Sequence, residues 1–191
     1  MRIIAGSAGG RVLKSFRGPG VRPTADRVRE SWFGALGARV LGAHFLDLYA
    51  GTGAVGIEAL SRGAARCVLV ERSRQGAAVV RENLKVLGDL PAGAAEVRAM
   101  DALAAPGALE REGREFDLVF ADPPYEDAAA PGKVLERLGR SQRLLAPGAQ
   151  VTIQHSKRVA LPEVSGRLRR TQARTYGDTA LSVYEVDDDL G

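Results

Sequence analysis

Residues 45–60, FLDLYAGTGAVGIEAL, constrain this chain more than any other stretch. An apolar run, Phe45-Leu46-Asp47-Leu48-Tyr49, breaks into Ala50-Gly51-Thr52-Gly53 and resumes with helical periodicity from Ala54. The pattern predicts a strand, a tight glycine turn and a helix. Gly51 and Gly53 can take positive φ and let a ligand approach the backbone closely. The helix that follows aims unpaired N–H groups and a partial positive charge at such a ligand. Gly56 falls in the first helical turn, where a missing side chain lets the helix close on the strand. Gly51, Gly53 and Gly56 satisfy G-x-G-x-x-G, and Glu71 ends the next predicted strand twenty residues after Gly51. That is the spacing of a nucleotide-binding βαβ unit.

Two features favour S-adenosylmethionine over NAD as the nucleotide. Asp47 lies within the strand, four residues before Gly51. A carboxylate below the loop would repel a pyrophosphate but not a cationic ammonium or sulfonium. The second feature is Asp122, at the end of a later strand.

At 191 residues, 45% apolar and 26% charged, the chain reads as one ordinary globular domain. No apolar run approaches about eighteen residues, and residues 1–14 lack the apolar segment of a signal peptide. The single Cys67, in a predicted strand, reads as a buried structural thiol. With two His and one Cys, no zinc site is expected. These features predict a cytoplasmic protein with no membrane partner, expected as a monomer. Charge is unevenly spread. Residues 1–45 hold eight Lys/Arg against two acids, residues 46–154 thirteen against fifteen, and residues 155–175 six against one. The tail 176–191 holds five acids and no base. Two basic flanks on a near-neutral body suggest phosphate contact. A solvated surface in an Arg-rich chain is the simpler alternative.

Residues 2–5 and 11–14 read as a β-hairpin loosely attached to the body, followed by a Gly- and Pro-rich linker. The predicted division is 1–21 for hairpin and linker and 22–191 for the main domain. Thr24 reads as the N-cap of a helix with Asp26 in its first turn and Val28, Trp32, Phe33 and Leu36 on its apolar face. Trp32 is read as core, and Arg27 and Arg29 as facing outward. Further strands are predicted at 66–71, near 96–99, at 116–121 and at 149–155. Helices are predicted at 73–87 and roughly 131–144, with a short one within 102–114 broken near Pro106-Gly107. Runs 167–176 and 180–186 join through Gly177-Asp178, a hairpin turn signal. The end, 187–191, reads as frayed. The fold class is therefore α/β: a doubly wound, seven-stranded, mostly parallel, Rossmann-like sheet with a small N-terminal β-hairpin extension. Asp47, Glu71, Asp101 and Asp122 all fall at or near strand ends, where such sheets bind ligands.

Asp122-Pro123-Pro124-Tyr125 follows the nearly all-apolar run 116–121. Two prolines fix φ and remove two N–H donors. What remains is a rigid acceptor patch, the Asp122 carboxylate with the Asp122 and Pro123 carbonyls, beside the Tyr125 ring. It suits a planar base bearing an exocyclic amine, stacked on Tyr125.

With FLDLYAGTGAVGIEAL followed by DPPY, the chain resembles class I adenosylmethionine-dependent amino-methyltransferases of nucleic acid. RIIAGSAGGRVL, RPTADRVRESWF and RTYGDTALSVYEV, in that order, resemble the bacterial RsmD-type 16S ribosomal RNA guanine-N2 methyltransferases. The resemblance covers nearly the whole chain and departs at Gln154-His155. It implies methylation of one guanine of small-subunit ribosomal RNA. It implies that Asp47, Ala50, Gly51, Thr52, Gly53, Glu71, Arg72, Asp101 and Ala102 bind S-adenosylmethionine, and that Asp122, Pro123, Pro124 and Tyr125 hold the base. Contact with 16S ribosomal RNA, within a small subunit or an assembly intermediate, is expected from Arg2, Arg11, Lys14, Arg22, Thr24 and Arg27. Three other functions stay open: an adenine-N6 or other amino-methyltransferase, an NAD-linked oxidoreductase, and a non-catalytic RNA-binding module. The oxidoreductase leaves Asp-Pro-Pro-Tyr unexplained.

Overall fold

The apolar runs become the strands of one continuous sheet. The computed structural model describes residues 1–15 and 26–190. Helix α1 is Asp26–Leu36, and strand β1, His44–Leu48, leads into α2, Ala54–Ser61. Then come β2 (Arg66–Val70), α3 (Arg74–Leu84), β3 (Ala95–Arg98) and α4 (Ala105–Arg111). They are followed by β4 (Phe116–Ala121), α5 (Ala130–Gly139) and β5 (Leu145–Ser156). The chain finishes with β6 (Val164–Ser165), β7 (Leu168–Tyr176) and β8 (Thr179–Val186). The sheet order is β3-β2-β1-β4-β5-β8-β7-β6, parallel through β5 and antiparallel beyond it. The order reverses between β1 and β4, the switch point at which doubly wound sheets bind ligands.

Strand alternation sorts the core onto two faces. Phe45, Leu69, Leu118 and Phe120 face α1, α2 and α3. Leu46, Leu48, Val119 and Val151 face α4 and α5. Trp32 is core, as expected: its ring lies 4.6 Å from Phe120, and its indole N–H donates to Thr152 Oγ1 at 3.1 Å. Gly56 lies against β2, where a Cβ would come within 2.7 Å of Leu69 Cδ2 and 2.8 Å of Cys67 Sγ.

Several expectations need correction. The sheet has eight strands, because the two-residue β6 pairs with β7, too short to leave a periodic signal. Helix α4 is unbroken, since Pro106 sits in its first turn, where no N–H is required. Helix α5 stops at Gly139, whose added Cβ would lie 2.0 Å from the Ser165 carbonyl oxygen. Residues 187–190 are ordered rather than frayed: Asp187 N–H donates to the Arg167 carbonyl, and Asp188–Leu190 form a 3-10 turn.

The N-terminal hairpin is not loosely attached. It closes through a single bridge, Arg2 to Val12, and buries Ile3, Ala8 and Leu13 in the core. The Ile4 and Ala5 N–H groups donate to the Glu58 carboxylate at 2.7 and 3.0 Å, and Ala8 N–H donates to Ser61 Oγ at 3.0 Å. Arg29 does not face outward. It is buried, donates to the Arg2 carbonyl and to Asp26, and lies 3.8 Å from Glu58. Burial lowers its pKa, and the Glu58 and Asp26 charges oppose that shift. The expected N-cap Thr24 and the division near residue 21 lie outside the described residues.

Candidate active site

The glycine loop and the Asp-Pro-Pro-Tyr segment leave the sheet side by side. Leu48 and Ala121 are register partners at the carboxyl ends of β1 and β4, and Asp122 N–H donates to the Leu48 carbonyl at 3.3 Å. Ala50 N–H donates to the Val70 carbonyl at 2.8 Å, and Gly53 N–H closes the turn onto the Ala50 carbonyl at 2.7 Å. Gly51 and Gly53 take φ of 57° and 80°, as expected. Thr52, the residue between them, is buried.

Asp47 lies beneath this loop, 2% exposed, on the α2 side of β1. Its Oδ2 accepts the Gly56 N–H at 2.9 Å and so ties strand to helix. Burial pushes its pKa up to about 7; the Gly56 hydrogen bond opposes this, and the charges of Asp122 and Glu71 add to it. The electrostatic preference for a cationic ligand therefore rests more on Glu71, Asp101 and Asp122 than on Asp47.

Glu71 spans the loops after β1 and β2. Its two carboxylate oxygens accept Gly51 N–H at 3.1 Å and Ser73 N–H at 2.8 Å. Gly76 makes room for it, because a Cβ there would stand 2.7 Å from Glu71 Cγ. Ser73 caps α3 by accepting the Gly76 N–H at 3.0 Å. Arg72 is exposed beside it. After β3, Asp101 is exposed and its Oδ1 accepts the Leu103 N–H at 2.8 Å, while Ala102 is buried. Each Glu71 oxygen keeps a further lone-pair direction, so the carboxylate can also accept a pair of hydroxyls. Loop and acids together fit a nucleoside with a cationic tail.

One residue of this rim escaped sequence reading. Tyr49, between β1 and the loop, is the single non-glycine residue with positive φ among the described residues, at 64°. Burial, with the charges of Asp101 and Asp127 adding, raises its hydroxyl pKa to about 12. Nothing in Tyr-Ala-Gly-Thr-Gly marks the first position as the strained one.

In the Asp-Pro-Pro-Tyr segment, Pro123 is buried, Pro124 exposed, and Asp122 and Tyr125 half-buried. The Pro124 carbonyl accepts Asp127 N–H at 3.2 Å, and among the described residues no backbone N–H takes the Pro123 carbonyl. Tyr125 Oη lies 2.9 Å from Thr179 Oγ1 and donates to the His155 carbonyl at 3.4 Å. His155 is buried, and its ring bridges the Ser156 carbonyl at 2.9 Å and Ser182 Oγ at 2.8 Å. Burial lowers its pKa, so the ring is neutral: Nδ1–H faces the carbonyl and Nε2 accepts from Ser182. Gln154-His155, the departure from the resemblance, therefore lies inside β5, where the His155 carbonyl accepts from Tyr125.

The expected RNA contacts divide. Arg2 and Arg27 are exposed and lack a carboxylate partner among the described residues. Arg11 donates to the Val86 carbonyl, and Lys14 pairs with Glu82 at 3.0 Å. Arg22 and Thr24 lie outside the described residues. In the second basic flank the acidic tail supplies counter-charges: Arg167 meets Asp188 at 3.4 Å, Arg169 meets Asp187 at 2.6 Å and Lys157 meets Asp178 at 3.0 Å. Arg170 pairs with Glu163.

A family model described as conserved hypothetical protein 95 matches residues 1–185. The Bacillus subtilis protein YlbH is 39% identical over 185 residues, 97% of this chain and 98% of its own length. Ribosomal RNA small subunit methyltransferase D of Escherichia coli is 35% identical over 97% of this chain and 89% of its own. The solved structure of the Escherichia coli protein yhhF superposes with a TM-score of 0.83 at 31% identity, covering 98% of each chain. Among the described residues, no helix is long and apolar enough to cross a membrane.

Proposed function

Because the chain belongs to the conserved hypothetical protein 95 family, that of the RsmD-type methyltransferases, we propose that it methylates ribosomal RNA of the small subunit. The methyl group comes from S-adenosylmethionine and goes to the exocyclic N2 amine of a guanine in 16S ribosomal RNA. One observation carries this reading: the nucleotide-type glycine loop and the amine-accepting Asp-Pro-Pro-Tyr segment emerge from adjacent strands, joined by the Asp122–Leu48 hydrogen bond. A nucleotide loop alone would suit many enzymes. Its pairing with a proline-fixed acceptor patch suits transfer to an aromatic amine.

S-adenosylmethionine held there supplies an electrophilic methyl group. Glu71 takes the ribose hydroxyls, Gly51–Gly53 let the nucleoside lie close to the backbone, and Asp101 sits along the same rim. A guanine amine is a poor nucleophile because its lone pair is delocalised into the ring. Asp122 and the Pro123 carbonyl accept its two hydrogens and so favour the pyramidal geometry in which the lone pair is available. Tyr125 stacks the base, which must leave its own stack to enter. Positioning and fixed dipoles supply most of the acceleration. Asp122 need not be a full general base, because the proton can depart after transfer. Arg2 and Arg27 contact phosphates of an RNA within a small subunit or its assembly intermediate.

The test is methyl transfer from labelled S-adenosylmethionine to small subunits, and to naked 16S RNA, from cells lacking this gene. Digestion should release N2-methylguanosine from one position. Release of N6-methyladenosine would move the activity to the adenine class, and no incorporation into either substrate would remove the reading.

A further inference from the structure

The N-terminal hairpin and the glycine loop meet at one side chain, Asn83 in the last turn of α3. Asn83 is 1% exposed. Its Oδ1 accepts the Lys14 N–H at 2.8 Å, and its Nδ2 donates to the Lys14 carbonyl and to the Thr52 carbonyl, both at 2.9 Å. An amide head has two donor hydrogens, and here one goes to the hairpin and one to the loop. At the other end of the hairpin, Thr52 Oγ1 donates to Met1 Sδ at 3.6 Å. Thr52 is thus held from both ends of the hairpin. The remaining hairpin anchors are different in kind: Glu58 and Ser61 grip residues 4–8 on α2 and make no hydrogen bond to residues 50–53.

We propose that Asn83 is a positioning residue that couples the two surfaces, so that cofactor at the glycine loop and RNA on the hairpin strengthen each other's binding. The inference rests on the function proposed above. The Lys14 and Thr52 carbonyls share one buried donor group, and a buried carbonyl left without a donor is costly. If the hairpin lifts, Asn83 loses two of its three partners and the Thr52 carbonyl loses its fixed orientation. If the loop rearranges, the hairpin loses the side chain that seats it. Each ligand favours the same docked arrangement, and linkage makes the effect reciprocal. Asparagine is specified at this position: aspartate keeps the acceptor for Lys14 N–H but has no donor for either carbonyl.

The deciding measurement is amide hydrogen exchange on the full chain, with and without saturating S-adenosylhomocysteine. The Lys14, Ile4 and Ala5 amides should exchange roughly five-fold or more slowly with the ligand bound, the lower end of ordinary coupling. RNA affinity should rise by a similar factor. In Asn83→Asp both responses should vanish. Ser61→Ala loosens the hairpin without touching Thr52, so its amides should exchange faster yet still slow when ligand binds. Ligand binding with no change in hairpin exchange in the unaltered protein would overturn the coupling, whether or not Asn83→Asp folds. Equal loss of the response in Ser61→Ala and Asn83→Asp would reduce Asn83 to a structural tether and also overturn it. Failure of the unaltered protein to bind S-adenosylhomocysteine at all would instead remove the function on which the proposal rests.

Discussion

Tyr125 Oη and Thr179 Oγ1 stand 2.9 Å apart, a hydrogen bond that fixes the end of the Asp-Pro-Pro-Tyr segment to the first residue of β8. Stacking needs only the ring, so sequence alone would make Tyr125→Phe mild. The structure gives the hydroxyl a task. Tyr125→Phe and Thr179→Val should each lower kcat/KM by several-fold, about 0.5–1.5 kcal/mol for a lost hydrogen bond. Tyr125→Ala also removes the stacking face and should lower it by about a hundred-fold. Steady-state methyl transfer checks all three, and a Tyr125→Phe variant as active as the parent would show the hydroxyl to be idle.

Glu71 joins two loops through Gly51 N–H and Ser73 N–H. Glu71→Ala should weaken S-adenosylmethionine binding by about 1.5–3 kcal/mol, the worth of a hydrogen-bonded charge. Titration calorimetry on the folded variant measures it. Unchanged affinity would take the ribose away from this residue.

Asp47 makes stability depend on pH. Its folded pKa is about 7 against an ordinary 3.8, so the native state holds the proton more tightly than the unfolded chain. The stability this contributes is fully present below about pH 4 and is lost as pH rises through about 7. Asp47→Asn keeps an oxygen for the Gly56 N–H and carries no charge. It should unfold at higher urea than the parent at pH 8, by up to about 4 kcal/mol at roughly 1.4 kcal/mol per pKa unit. Near pH 4 the two should converge. Parallel urea midpoints across this range would contradict the assignment.

Removing residues 1–15 should destabilise the domain. It strips buried Ile3 and Leu13 and takes two N–H donors from fully buried Glu58 and the Arg2 carbonyl from Arg29. Loss of at least about 3 kcal/mol is expected from apolar burial and orphaned polar groups together. Thermal unfolding checks this; an unchanged midpoint would mean that the hairpin only rests on the body.

Arg2→Ala and Arg27→Ala should flatten the salt dependence of RNA binding by roughly 0.7–0.9 for each phosphate that is no longer neutralised. Arg169→Ala should change it little, because Asp187 already neutralises Arg169. Fluorescence titrations at several salt concentrations separate the two flanks. A larger effect for Arg169→Ala would move the RNA to the second basic flank, residues 155–175.

The parts legible in the sequence were those whose reasons are local. Gly51 and Gly53 announce the loop, the run 116–121 announces a central strand, and two prolines announce a fixed segment. The unreadable parts depend on partners distant in sequence. Arg29 falls at core spacing with Trp32, Phe33 and Leu36, but its charge reads as a surface residue, and only Glu58 and the Arg2 carbonyl explain its burial. Asp47 looks like a ligand-facing acid until Gly56 claims its oxygen. Asn83 sits in an ordinary polar helix end, and its importance comes from Lys14 and Thr52. The charge of residues 155–175 promised a second RNA surface, which the tail acids largely cancel.

Strand β8 lies between β5 and β7, although it follows both in the chain. A chain emerging from the ribosome can lay down β1 to β5 in order, but β5 keeps an open edge until residues 179–186 arrive. Synthesis stopped before β8 would leave the long, largely buried β5 with an unpaired edge open to other chains, an invitation to aggregation. The same missing strand carries Thr179 and Ser182, which hold Tyr125 and His155. The protein therefore gains the partner of β5 and the anchors of Tyr125 and His155 in the same late event, so a fragment lacking β8 should transfer no methyl group.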